Sequence, residues 1–124
     1  MTGFLLDTNC ISEVGRPQPS PKVLGWLSAA DEQQLYLSVL VLGEIRKGAT
    51  LLPASAKRTQ LERWLEVDLP ARFQGRILSI DGGIANRWGI MTAQARLSGI
   101  TLATIDGLLA ATAVVYGLTL PHAM

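Results

Sequence analysis

One cysteine and one histidine among 124 residues are too few for a disulfide framework or a Cys/His metal cluster, so a reducing compartment is expected. Charge of one sign is equally scarce, 11 basic side chains against 10 acidic ones leaving +1. A small protein that holds nucleic acid by bulk electrostatics is strongly basic, so any RNA or DNA contact here falls to a local basic surface. No Gly-rich phosphate loop follows the first apolar run, which argues against a generic nucleotide binder. Nor is there an internal repeat or a low-complexity segment. The uncharged stretch 107–124 is broken by Thr112, Tyr116, Gly117, Thr119 and Pro121, so it reads as a buried helix and strand and not as a membrane span. The opening MTGFLLDTN has no basic leader and an acid at position seven, so neither a secretory signal nor a transit peptide is expected, and the expected location is cytoplasmic.

What is present suits one compact domain over residues 1–124, with 48% hydrophobic residues and about two thirds of the unfolded surface available for burial. Phe4-Leu5-Leu6 running into Asp7-Thr8-Asn9 reads as a buried strand handing over to a helix. Ser20 and Pro21 offer an N-cap and a first-turn proline for a helix over 21–30. Residues 35–39 are strand formers, and Val41, Leu42, Ile45, Ala49 and Leu52 recur at helical spacing up to Pro53. An amphipathic helix on Leu61, Trp64 and Leu65 is expected over 55–69, closed by Pro70. A strand over 76–80 leads to Asp81, the expected cap of a helix marked by Ile84, Trp88, Met91 and Ala95. Residues 101–105 read as a further strand before a helix from Asp106 to about Tyr116, a Gly117 C-cap and a last strand over 118–120. Such alternation predicts an α/β fold with a mainly parallel central sheet flanked by helices.

Three acids, Asp7, Glu44 and Asp106, interrupt apolar surroundings, where an unpaired charge is costly. Asp7 ends a strand, and Glu44 and Asp106 fall in early helical turns near strand ends, where open α/β sheets collect ligands. Helical spacing places Asp106 with Leu109, Ala110 and Ala113, and Glu44 with Leu40, Val41 and Gly48, so both are expected to face inward. Carboxylates brought together repel unless a cation holds them ionised. Oxygen donors without His or Cys suit Mg²⁺ or Mn²⁺, which also bind phosphate. The plainer reading is two helix caps, Asp7 and Asp106, and a Glu44 paired with a buried arginine.

Three segments taken together go further: Leu5-Leu6-Asp7-Thr8-Asn9-Cys10-Ile11-Ser12-Glu13, then Leu37 through Gly48 around Gly43-Glu44-Ile45-Arg46-Lys47, then Ile105-Asp106-Gly107-Leu108-Leu109-Ala110-Ala111-Thr112-Ala113. In order and spacing they resemble the successive motifs of PIN-domain proteins, most nearly VapC-type toxins of the FitB-like branch. The resemblance implies a three-layer fold and a metal-dependent ribonuclease, usually the toxin of a toxin–antitoxin pair, often cutting tRNA or other structured RNA and often a homodimer. It implies Asp7, Glu44 and Asp106 as metal-binding acids for Mg²⁺ or Mn²⁺, with Thr8 and Asn9 in support. It also implies products with 5′-phosphate and 3′-hydroxyl ends, and a cognate antitoxin whose basic side chain meets these acids.

The family pattern continues after Leu118-Thr119-Leu120 with a Thr-Arg-Asn or Thr-Arg-Asp segment, a helix and a strand, where this sequence reads Pro121-His122-Ala123-Met124. A fold lacking that last helix and strand is therefore expected. The rival reading is a truncated, inactive PIN domain that keeps only antitoxin binding or dimerisation. His122 stands near the chain end, where fraying argues against a general base. Cys10 reads as a small buried hydrophobe, and Trp26, Trp64 and Trp88 as packing residues. Arg46 and Lys47 flank Glu44 and are candidate contacts for substrate phosphate.

Overall fold

The computed structural model describes residues 3–14 and 31–121, with Pro21, Gly25 and Ala29 between them. Strand β1 (Phe4–Leu5) pairs with β2 (Leu35–Ser38), and β2 with β3 (Ile77–Leu78), all parallel, Phe4 opposite Leu35 and Leu37 opposite Ile77. Successive strand residues point to opposite faces. Leu5 and Leu6 are both fully buried, as are Leu37 and Ser38, so protein covers both faces of the sheet, as parallel sheets require.

Each strand hands over to a capped helix. The Asp7 carboxylate accepts the Cys10 N–H at 2.8 Å and opens α1 (Thr8–Val14). Ser38, fully buried, accepts the Leu40 N–H at 3.1 Å and opens α2 (Val39–Leu51). Val41, Ile45 and Ala49, four apart, form the buried stripe of α2, which joins Leu5, Leu6, Leu35, Leu37, Cys10 and Ile11 in the core. Asp81 accepts the Ile84 N–H at 2.9 Å and opens α5 (Gly82–Leu97). Helix α6 (Thr104–Tyr116) sends Leu109 and Ala113 into the core. Its C-cap is Gly117 at φ 65°, a left-handed conformation that suits glycine.

Four expectations need correction or limits. Pro70 does not close its helix: α3 (Ala56–Arg63) runs into a π-helical turn, Trp64–Asp68, in which the Leu69 N–H reaches back to the Trp64 carbonyl, and then into α4 (Leu69–Arg72) with Pro70 in its first turn. Widening the turn makes room for a ring that would otherwise strike the carbonyl four residues back. Residues 101–103 form no strand, and α6 starts at Thr104, because packing of Ile105 and Leu109 on the core outweighs the β-propensity of 101–105. The strand expected over 118–120 is a single parallel bridge, Thr119 to Phe4, on the open edge of β1. The helix expected over 21–30 lies, apart from helical Pro21, Gly25 and Ala29, outside the described residues, as does Trp26. Among the described residues no helix is long and apolar enough to cross a membrane.

The bridge passes close to Gly3. A Cβ built there would stand 2.9 Å from Leu118 Cδ2, 3.0 Å from the Gln34 carbonyl oxygen and 3.1 Å from Tyr36 Cε1. Two of these neighbours are packed side chains, and the third is backbone. Gly3→Ala is expected to lower the unfolding free energy by about 1–3 kcal/mol through overpacking, seen as an earlier urea midpoint. An unchanged midpoint would show that this edge yields freely.

Candidate functional site at the carboxyl end of the sheet

Asp7 and Thr8 follow β1 directly, and Glu44 stands in the second turn of the helix that follows β2. Parallel pairing of the two strands brings these segments to the same end of the sheet. There the Thr8 hydroxyl donates to Glu44 Oε1, while Asp7 Oδ1 is taken by the cap of α1. Asp7, Thr8 and Glu44 are all half-buried. Among the described residues the second oxygen of each carboxylate has no hydrogen bond. Two half-buried carboxylates with an oxygen apiece to offer match the hard-oxygen chemistry of a divalent cation, which commonly takes one or two carboxylates and completes its shell with water and phosphate.

The remaining residues fall elsewhere. Asp106 is the third residue of α6 and exposed, whereas its spacing with Leu109 and Ala113 predicts an inward face. The helix begins two residues before the expected cap, and Asp106 there complements the positive end of the helix dipole. Glu44 likewise sits at the margin of the buried Val41, Ile45 and Ala49 stripe and not within it. Among the described residues no group of three or more His, Cys, Asp or Glu side chains is gathered closely enough to hold a metal ion. Asp7, Thr8 and Glu44 are brought together, and Asp106 is not joined to them by any hydrogen bond or ion pair. Asn9 is exposed on the first turn of α1. Arg46 is engaged by Glu66 at 2.6 Å and Glu62 at 3.4 Å, while Lys47 is exposed. Of the two, Lys47 is the one whose charge no carboxylate answers among the described residues.

Cys10 lies beneath Asp7. Burial first, and the Asp7 carboxylate second, push its thiol up to about 11 from 9.0, so it is a poor nucleophile, as its placement in an apolar helix face suggests. A folded-state value above the unfolded one means that folding favours the protonated thiol. That contribution is complete below about pH 9 and is lost as pH rises toward about 11. Cys10→Ala is therefore expected to flatten the decline in stability between those limits, measured as the difference in urea midpoint between variant and parent. Parallel declines in the two proteins would refute it.

Two structural residues escaped the sequence reading. Arg76 is buried yet answered by backbone: it donates to the carbonyls of Glu32, of Leu35 at 2.8 Å and of Arg72 at 2.6 Å, with its guanidinium 5.2 Å from the centre of the Phe73 ring. Nothing in the local sequence marks it, because two of its acceptors, the carbonyls of Glu32 and Leu35, stand far off in the chain, just before β2 and at its first residue. Beside it, the Arg72 guanidinium grips Glu32 at 2.7 and 3.1 Å and holds that carboxyl below its usual range. Trp88, expected to pack, lies against Gly107 of α6, and the only signal for that contact is the glycine itself.

A family model for the PIN domain matches residues 4–121. The chain is 37% identical over 114 residues to the VapC ribonuclease Y4jK of Sinorhizobium fredii, spanning 92% of this chain and 81% of that one. It is 39% identical over 116 residues to the toxin FitB of Neisseria gonorrhoeae, spanning 94% and 84%. The crystal structure of FitAcB from Neisseria gonorrhoeae superposes with a TM-score of 0.88 at 38% identity, over 94% of this chain and 84% of that one.

Proposed function

The chain belongs to the PIN domain family, and from that premise we propose that it is a metal-dependent endoribonuclease, the toxin of a cytoplasmic toxin–antitoxin pair, with Asp7, Glu44 and Asp106 as its metal-binding acids. The observation that carries this reading is the Thr8–Glu44 hydrogen bond, which fixes the α2 carboxylate beside the residue that follows Asp7. Two of the relatives bear the names ribonuclease and toxin, and the family match over residues 4–121 takes in all three acid-bearing segments.

A bound Mg²⁺ or Mn²⁺ supplies an activated water and neutralises charge on the phosphorus. The chain's own residues do the holding. The Cys10 N–H orients Asp7, and the Thr8 hydroxyl orients Glu44, so each carboxylate presents one oxygen in a fixed direction. Asp106, exposed at the start of α6, offers the third carboxylate, and Asn9 a neutral donor at the rim. Lys47, one residue past the Arg46 ion pairs, meets substrate phosphate as a point charge. An antitoxin is the cognate protein partner, and the working form is a homodimer.

Bulk tRNA incubated with the purified chain in Mn²⁺ or Mg²⁺ is expected to yield fragments with 5′-phosphate ends, and to stay intact in EDTA. Cutting that persists in EDTA would refute the metal mechanism. Intact RNA under both conditions would leave a PIN domain that binds antitoxin without catalysis.

A further inference from the structure

We propose that Trp88 is a positioning residue for Asp106, its indole being the seat on which the first turn of α6 rests. The inference builds on the reading of Asp106 as a metal-binding acid. Helices α2 and α5 begin under side-chain caps, Ser38 and Asp81, but the N-cap residue of α6 is Ala103, which makes no side-chain cap hydrogen bond. Without a cap, packing must fix where that turn stands. The packing is close: Gly107, the residue after Asp106, is buried, and a Cβ on it would lie 3.1 Å from Trp88 Nε1, 3.2 Å from Trp88 Cδ1 and 3.8 Å from Leu102 Cβ. The indole and Leu102 therefore both lie close against Gly107, the residue next to the carboxylate.

The indole is itself held by shape. Its Nε1 is buried without a hydrogen-bond partner among the described residues, as is the Thr92 hydroxyl one turn along. Ile84, one turn earlier, is fully buried, so packing anchors this part of α5. A rigid ring with two side-chain torsions, set on an anchored helix, transmits that position to Gly107 and so to Asp106.

The test is titration of the full chain with Mn²⁺ alone, followed by electron paramagnetic resonance, beside thermal unfolding of each variant. Trp88→Ala is expected to weaken Mn²⁺ binding about tenfold, the scale of losing a residue that orients a ligand, and Trp88→Phe, which keeps a ring in place, to restore most of it. Asp106→Asn is expected to weaken binding as well, with the double variant Trp88→Ala/Asp106→Asn no weaker than Asp106→Asn alone, because Trp88 acts through Asp106. A lowered melting temperature with unchanged Mn²⁺ affinity, or losses that simply add in the double variant, would reduce Trp88 to a packing residue and overturn the proposal. If Trp88→Ala does not fold, Trp88→Leu carries the same comparison. Unchanged Mn²⁺ affinity in Asp106→Asn would remove the metal role of Asp106 and this proposal with it. Weakening in Asp106→Asn but in no Trp88 variant would remove the proposal alone.

Discussion

Glu44→Gln is expected to cut RNA cleavage by at least about 100-fold, the upper end of what removing a merely supporting group costs at a metal site, while leaving the chain folded. The amide has the shape of the carboxylate, and its carbonyl still accepts the Thr8 hydroxyl, so the hydrogen bond that joins α1 to α2 survives. Val41 and Ile45 on either side keep α2 seated in the core. Only the charge is lost. Thr8→Val is the complementary change: it keeps the volume, removes the donor and lets Glu44 turn, and a loss of about 10–100-fold is expected. Thr8→Ser restores the hydroxyl and should recover most of the rate. Initial rates on bulk tRNA in Mn²⁺, with circular dichroism as the control for folding, decide the matter. Parental rates in Glu44→Gln would make Glu44 no more than the structural partner of Thr8.

Arg76→Met is expected to lower the unfolding free energy by about 3 kcal/mol. The methionine fills much the same space over Phe73 but abandons three carbonyls, those of Glu32, Leu35 and Arg72, at a residue only 8% exposed. Leaving buried acceptors unmet costs more than a typical hydrogen bond contributes. Arg76→Lys keeps the charge but lacks the planar fork that reaches several acceptors at once, so it should recover only part of the loss. Urea unfolding reads both. A shift below about 1 kcal/mol in Arg76→Met would mean that the three carbonyls find other donors, and that this arginine is not the tie between the approach to β2 and the end of α4.

The fold was legible where a local signal and the tertiary outcome agree. Ser38 and Asp81 announce helix starts, Gly117 a helix end, and the apolar runs at residues 4–6 and 35–38 a buried parallel pair. It was illegible where long-range packing overrules a local rule. Pro70 looks like a stop because nothing local announces the widened turn ahead of it. Residues 101–105 look like a strand because their β-branched members do not show that Ile105 is needed on the core. At the site, the acids themselves stood out as charges among apolar neighbours. Their relationship did not, since the meeting of Thr8 with Glu44 depends on the register of β1 against β2. The spacing of Asp106 with Leu109 and Ala113 predicts an inward face, and a helix starting at Thr104 leaves it in the solvent.

The Phe4–Thr119 bridge has a bearing on how the chain is born. At about 5–20 residues per second, synthesis takes roughly 6 to 23 s to travel between those two positions. Until residue 119 has left the ribosome, the strand that delivers Asp7 has β2 beside it but lacks the bridge to Thr119. Helices α2 and α3 and strand β3 all emerge before that edge can close. The candidate site is therefore completed late, so a nascent chain carries its first acid long before it has the finished sheet that holds it in place.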